Sequence, residues 1–291
     1  MIIWLASYPK SGNTWVRSIV NQLAFNDIKK NEDVFDGLIK IRKYPTTYDM
    51  PKLTKISDLH TDDQKNEVVK YTIKNWKESQ DRIYEKKELH FLKTHNVLCN
   101  LKIGLQDYQF TDHPNSIGVI HVVRDPRNVV TSIKNHFNHK NIEQSIDMMK
   151  DPNRWTGFKK NEVPQFLSSW NNHFNTWKQF PKNNLLIKYE DLIQNPENEL
   201  EKIINFLKKY LDIKTDDQKN KKILETTSFK NLKQMEQKGL FKENVLNKKD
   251  DSKVNFFHLG PANNWKDNLN EDIKNKIEKN FYKEMVELKY L

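Results

Sequence analysis

A single cysteine, Cys99, occurs among the 291 residues. No intrachain disulfide can form, so packing must hold the fold, and a reducing, cytoplasmic setting is expected. Cys99 itself reads as a small buried apolar residue rather than a nucleophile. No run of about 18 apolar residues is present, so no transmembrane helix is expected. The first residues carry no basic leader, and the apolar run Ile2-Ile3-Trp4-Leu5-Ala6 is too short for a signal-peptide core. The Walker A order of glycine, four residues, glycine and Lys-Ser/Thr is missing, which disfavours an ordinary ATPase loop. His136 and His139 have helix-face spacing, but no cysteine or carboxylate cluster accompanies them as a metal site would need. Internal repeats and low-complexity tracts are missing as well.

What is present describes a folded, cation-rich chain. The length suits one large α/β domain better than two small ones. Only 36% of residues are apolar and 30% are charged, but an aromatic share of 11%, with seven Trp, argues against disorder. The net charge of +10 favours anionic ligands: nucleic acid, a membrane surface or a polyanionic small molecule. Lysines also solvate a surface, so charge alone does not choose.

Ile2 to Ser7, Ile117 to Val123 and Leu185 to Tyr189 read as strands, the first two nearly continuous in apolar residues, as strands covered on both faces are. Leu89 to Lys93 reads as another. Asp125-Pro126 caps a helix through Val129, Val130 and Ile133, and Asn195-Pro196-Glu197 opens one before Leu200, Ile203, Ile204 and Leu207. Strands alternating with helices predict an α/β fold of three layers, a parallel sheet flanked by helices, with ligands at the carboxyl ends of the strands. Residues 27–88 read as an insertion of short helices and loops. Within Val163 to Phe180 the stripe Phe166, Trp170, Phe174 and Trp177 predicts a core-packed helix. Residues 238–268 read as a long loop or lid, and Asn270 to Leu288 as a closing amphipathic helix.

Three motifs carry chemistry. Tyr8-Pro9-Lys10-Ser11-Gly12-Asn13-Thr14-Trp15 joins the first strand to a helix whose apolar positions are Val16, Ile19, Val20 and Leu23. Backbone N–H groups at the helix start, the helix dipole and Lys10 all favour an oxyanion there. In Val122-Val123-Arg124-Asp125-Pro126 a strand ends in a guanidinium suited to phosphate, with Ser132 on the third turn of the next helix. Phe91-Leu92-Lys93-Thr94-His95 ends a strand in a cation and a base that titrates near neutrality.

These motifs, in this order, resemble the cytosolic-type sulfotransferase family, whose sulfonate donor is 3′-phosphoadenosine-5′-phosphosulfate (PAPS). Residues 8–15 resemble its 5′-phosphosulfate loop, Arg124 through Ser132 its 3′-phosphate motif, and Lys93-Thr94-His95 the segment that supplies its base. Tyr189-Glu190-Asp191-Leu192 before Asn195-Pro196, Thr227-Ser228-Phe229 and Gly260 to Lys266 are similar to further family segments. The resemblance implies a P-loop-like nucleotide-binding fold and one domain over residues 1–291. It implies donor binding by Lys10, Ser11, Gly12, Asn13, Thr14, Trp15, Arg124, Ser132, Tyr189, Thr227, Phe229, His258 and Gly260. His95 is expected to act as base, with Lys10, Lys93 and Ser132 also in the catalytic set and no metal required. The expected partner is a small-molecule acceptor, bound by residues 27–88 and about 137–155, not nucleic acid or a lipid bilayer.

The chain also departs from the family. His258 and Leu259 replace its lid arginine and lysine, leaving Lys253 and Lys266 as nearby cations, and the dimer-contact pattern is missing, so the oligomeric state stays open. A P-loop kinase-like phosphotransferase and a basic nucleic-acid-binding module are the competing readings. The kinase lacks its Lys-Ser/Thr after a glycine, and the binding module explains none of the three motifs.

Overall fold

A computed structural model describes residues 1–25, 31–35, 37–55, 61–112, 114–158, 162–241, 243, 245–246 and 253–291. Along the chain come β1 (Ile2–Ser7), α1 (Asn13–Ala24), β2 (Ile41–Lys43), α2 (Asp62–Lys74), α3 (Trp76–Tyr84) and β3 (His90–Thr94). A hairpin, β4 (Asn100–Ile103) and β5 (Gln106–Gln109), precedes β6 (Ser116–Val123), α4 (Pro126–Phe137) and α5 (Ile142–Lys150). Then follow β7 (Trp155–Thr156), β8 (Gln165–Phe166), α6 (Trp170–Lys178), β9 (Asn183–Lys188), α7 (Tyr189–Gln194) and α8 (Pro196–Leu207). The chain continues through α9 (Asp217–Thr227), α10 (Phe229–Gln237), β10 (Val245–Leu246), β11 (Lys253–Val254), α11 (Trp265–Asn268) and α12 (Glu271–Glu287).

Five strands form a parallel sheet in the order β2-β3-β1-β6-β9, flanked by helices in the P-loop-like α/β arrangement. β1 pairs with β3 from Ile2↔His90 to Ala6↔Thr94, and β2 with β3 from Ile41↔Phe91 to Lys43↔Lys93, both parallel. All six residues of β1 are buried, which is why that strand reads as an unbroken apolar run.

The chain divides into two compact units. The first holds residues 1–8, 41–121 and 150–186; the second holds 9–40, 122–149 and 187–291. The first is organised around Trp4, whose ring meets Tyr44 at 5.3 Å, Phe110 at 5.2 Å and Trp177 at 6.3 Å. The Trp4 indole N–H donates to Ser116 Oγ at 2.7 Å, so its one polar atom is satisfied inside the core. In the second unit, α1 buries Val16, Ile19 and Val20, and Thr226 on α9 donates to the Gln22 side chain at 3.1 Å. A separate aromatic cluster there gathers Val34, Leu232, Met235, Phe241 and Phe257, with Trp15, Phe229 and Phe256 packed against it.

Several expectations need correction. Tyr189 does not end a strand: β9 stops at Lys188, and Tyr189 is the first residue of α7. The aromatic stripe is not one helix, because Phe166 lies in β8 and only Trp170–Lys178 is helical. Residues 27–88 contain the sheet-edge strand β2 besides short helices, and 26–30, 36 and 56–60 fall outside the described residues. The 238–268 segment includes paired β10 and β11 and the short helix α11, with 242, 244 and 247–252 outside the described residues.

Candidate functional site

In the first unit, the end of β3 delivers Lys93, buried in the strand, and then His95. His95 Nδ1 lies 2.7 Å from the Ser7 carbonyl oxygen and 3.3 Å from Ser7 Oγ. A carbonyl only accepts, so Nδ1 carries the proton and Nε2 is left with the lone pair. Burial, then the Lys93 ammonium, hold the His95 pKa well below the usual histidine value, against the bond to Ser7. His95 is therefore a neutral base at pH 7. Thr94 does not reach outward: its Oγ1 accepts from the Asn96 backbone and side-chain nitrogens at 3.1 and 3.2 Å.

His173, a polar residue on the apolar face of α6, bonds to the backbone of His95 and Asn96 and packs edge-on against Tyr8 at 5.8 Å. Burial holds it neutral too. The sequence pattern hid it, because the aromatics around it at helical spacing read as core.

The second unit holds the remaining motifs. Lys10 adopts a left-handed backbone (φ 67°), and Gly12 caps α1 at φ 98° with no capping side chain. A Cβ at Gly12 would lie 2.5 Å from Tyr189 Cδ2, so both the backbone and the close ring require glycine. Asn13 and Thr14 open α1 from buried positions, and Ser11 Oγ is buried with no hydrogen-bond partner among the described residues. Lys10 Nζ sits 3.9 Å above the Phe256 ring and 3.5 Å from the Phe256 carbonyl oxygen. Trp15 stands edge-on to Tyr189 at 5.6 Å.

Arg124 draws these segments together. Its guanidinium stacks 4.0 Å over Tyr189, and Nη1 donates to the Lys10 carbonyl at 3.3 Å and to Ser132 Oγ at 3.5 Å. Nη2 donates to the Gly260 carbonyl at 3.1 Å, while Nε is buried without a partner among the described residues. Among the described residues this buried cation meets neutral acceptors only. Gly260 in turn has φ +55°, and a Cβ there would come within 2.1 Å of the Phe229 ring.

Other expected residues are arranged differently. Thr227 is fully buried, with Oγ1 donating to the Ile223 carbonyl at 2.7 Å inside α9. His258 is exposed, and its carbonyl accepts from Lys233 Nζ at 3.2 Å. Lys266 is exposed on α11, 5.7 Å from the Trp265 ring, whereas the Lys253 side chain lies outside the described residues. Asp125 caps α4 and pairs with Arg127 at 2.7 Å. Arg127 also pairs with Glu278, donates to the Tyr290 carbonyl at 2.8 Å and stacks 4.0 Å over Trp265. Glu190, its carboxyl pKa raised by burial, accepts from the Asp125 N–H at 3.0 Å and the Tyr290 hydroxyl at 2.9 Å.

The Sulfotransferase domain profile matches residues 2–289. The chain belongs to the sulfotransferase family. Neither the kinase-like nor the nucleic-acid-binding reading is favoured by that match. Among curated relatives it is 26% identical over 236 residues to Sulfotransferase 1A1 of Rattus norvegicus, covering 79% of this chain and 66% of that protein, just under two thirds. Identity to Sulfotransferase 1B1 of Canis lupus familiaris is 26%, over 97% of this chain and 83% of the relative. The Luciferin sulfotransferase of Photinus pyralis is 23% identical over 93% and 68%. Two solved structures share the fold. Mouse sulfotransferase SULT7A1 complexed with PAP has a TM-score of 0.58 at 16% identity, covering 98% of this chain and 84% of that one. Retinol dehydratase in a complex with retinol and PAP has a TM-score of 0.60 at 17% identity, covering 98% and 81%. No helix among the described residues is long and apolar enough to cross a membrane.

Proposed function

We propose that the chain binds PAPS through its second unit and transfers the sulfonate to a hydroxyl or amine of a small-molecule acceptor. The observation that carries this is the Arg124 guanidinium, nine-tenths and more buried, whose hydrogen-bond partners among the described residues are carbonyl and hydroxyl oxygens. A buried cation without a carboxylate is costly, and an anionic ligand group offsets that cost. Ser11 Oγ and the uncapped start of α1 add neutral donors of the kind a phosphate or phosphosulfate takes.

In this reading Arg124 and Ser132 hold the 3′-phosphate, residues 10–14 hold the 5′ end, and Trp15 and Phe229 lie against the adenine. Tyr189 and Gly260 support Arg124 from its ring face and its Nη2. The acceptor oxygen or nitrogen forms a bond to sulfur as the bridging S–O bond breaks, and adenosine 3′,5′-bisphosphate leaves. His95 Nε2 takes the acceptor's proton, while Lys10 and Lys93 offset charge on the leaving oxygen, effects usually contributing about 10²–10⁴ and 10²–10³ in rate. These residues supply the electrostatics without a metal ion. The Sulfotransferase domain match over nearly all the chain supports one domain, and the lone Cys99, its thiol pKa pushed up to about 12 by burial, suits a reducing cytoplasm.

Calorimetry with adenosine 3′,5′-bisphosphate, 5′-AMP and ATP tests the donor assignment. The bisphosphate should bind tightest, and in Arg124→Ala that preference should shrink by one to two decades, roughly the 1.5–3 kcal/mol of a charge-assisted bond. Tightest binding of ATP would overturn it. Mass-shift detection of product across phenols, alcohols and amines then identifies the acceptor class.

A further inference from the structure

Asn263 is only 3% exposed, and both polar atoms of its carboxamide are engaged. Nδ2 donates to the Asn128 carbonyl at 2.7 Å and to Ser132 Oγ at 3.1 Å, while Oδ1 accepts from Thr131 Oγ1 at 2.8 Å. The reversed amide would set Oδ1 against the Asn128 carbonyl, acceptor against acceptor, so the network fixes its orientation. Asn128, Thr131 and Ser132 stand at i, i+3 and i+4 on α4 and so share one face. Asn128 Oδ1 also accepts from the Trp265 N–H at 2.8 Å, which binds the segment around Asn263 to that face a second time.

We infer that Asn263 is a positioning residue that makes the Ser132 hydroxyl a donor toward the 3′-phosphate of the nucleotide. The inference rests on the reading of Arg124 and Ser132 given above. A serine hydroxyl has one proton and two lone pairs. At Ser132 the oxygen receives Asn263 Nδ2 at 3.1 Å and Arg124 Nη1 at 3.5 Å. A serine inside a helix ordinarily turns its proton back to the carbonyl four residues earlier. Here that carbonyl, on Asn128, already receives Asn263 Nδ2 and lies 3.0 Å from Thr131 Oγ1. With both lone pairs directed at donors and the in-helix acceptor taken, the Ser132 proton is free for an oxyanion. Ser132 alone could point either way. Asn263 chooses, and it does so from the segment whose Gly260 carbonyl also holds Arg124.

The test is a binding cycle read with adenosine 3′,5′-bisphosphate and 5′-AMP. In Asn263→Ala the bisphosphate Kd should rise about tenfold and the 5′-AMP Kd less than about twofold, the effect of one hydrogen bond to a charged group. In a Ser132→Ala background, Asn263→Ala should cause no further selective loss, because its action passes through that hydroxyl. Asn263→Asp keeps the side chain's shape and an oxygen for Thr131, so it covers the case in which the alanine variant fails to fold. Its second oxygen would accept from Ser132 and turn the proton inward, so its selective loss should exceed that of the alanine variant. Equal losses for both nucleotides, or a full additional loss in the Ser132→Ala background, would overturn the role of Asn263. A wild-type protein that binds the two nucleotides equally would instead overturn the assignment of the 3′-phosphate site itself.

Discussion

Replacing His121 with phenylalanine should flatten the dependence of stability on acid. His121 lies in β6, 1% exposed, with neither ring nitrogen hydrogen-bonded among the described residues. Burial lowers its pKa to about 3. The unfolded chain takes up that proton near pH 6.5, so between those values unfolding binds a proton and stability falls as the pH falls. The stabilising contribution is fully present above about 6.5. At about 1.4 kcal/mol per unit, this one group should remove about 2 kcal/mol between pH 8 and pH 5. His173 and His95, also lowered by burial, act in the same direction and remain in the variant. Phenylalanine suits the pocket, since the His121 ring already stacks on Phe174 at 5.9 Å and 28°. Urea unfolding of both proteins at unit steps from pH 8 to 5 gives the two slopes. The variant should match or exceed wild type at pH 8 and lose about 2 kcal/mol less by pH 5. Parallel curves would refute the reasoning, because the ring would then be hydrated or paired in the folded state.

The other expectations concern the site. Gly12→Ala should destabilise the fold by about 1–3 kcal/mol in urea unfolding, since φ 98° and the Tyr189 ring at 2.5 Å both oppose a Cβ. An unchanged midpoint would mean that the turn can relax. Lys10→Ala should cut kcat by roughly 10²-fold in PAPS turnover, and a folded variant with wild-type turnover removes Lys10 from the reaction. His95→Ala should nearly abolish turnover of a weakly acidic alcohol while leaving adenosine 3′,5′-bisphosphate binding intact. Because His95 is already deprotonated at neutrality, wild-type kcat should hold level from pH 8 to 6.5 and fall only at lower pH; a fall centred near 6.5 would contradict the buried, Lys93-flanked imidazole.

How much was legible depended on where each determinant sits in the chain. β1 and β6 showed because strands covered on both faces need unbroken apolar residues, and α4 showed because Asp125 and Pro126 start it locally. β2 did not, since Ile41-Arg42-Lys43 is a three-residue edge strand with two half-buried cations. The β4–β5 hairpin passed unread: two four-residue strands around Gly104 give little alternation to count. Among site residues, the oxyanion turn and Arg124 were readable from adjacent residues. Asn263 was not, because its partners lie 131 to 135 positions away and nothing beside it in sequence sets its role.

The Arg127 cluster has a consequence for the order of synthesis. Asp125 and Arg127 leave the ribosome early, yet their partners Glu278 and Tyr290 follow 151 and 163 residues after Arg127. Until those arrive, the start of α4 carries a guanidinium and a carboxylate with only each other, and Trp265 is not yet there to cover them. The second unit is assembled from three separated stretches, so its folding is governed by long-range closure rather than by local helix formation. The start of α4 should therefore gain its full set of partners only after the chain through Tyr290 has been made, well after its own helix can form.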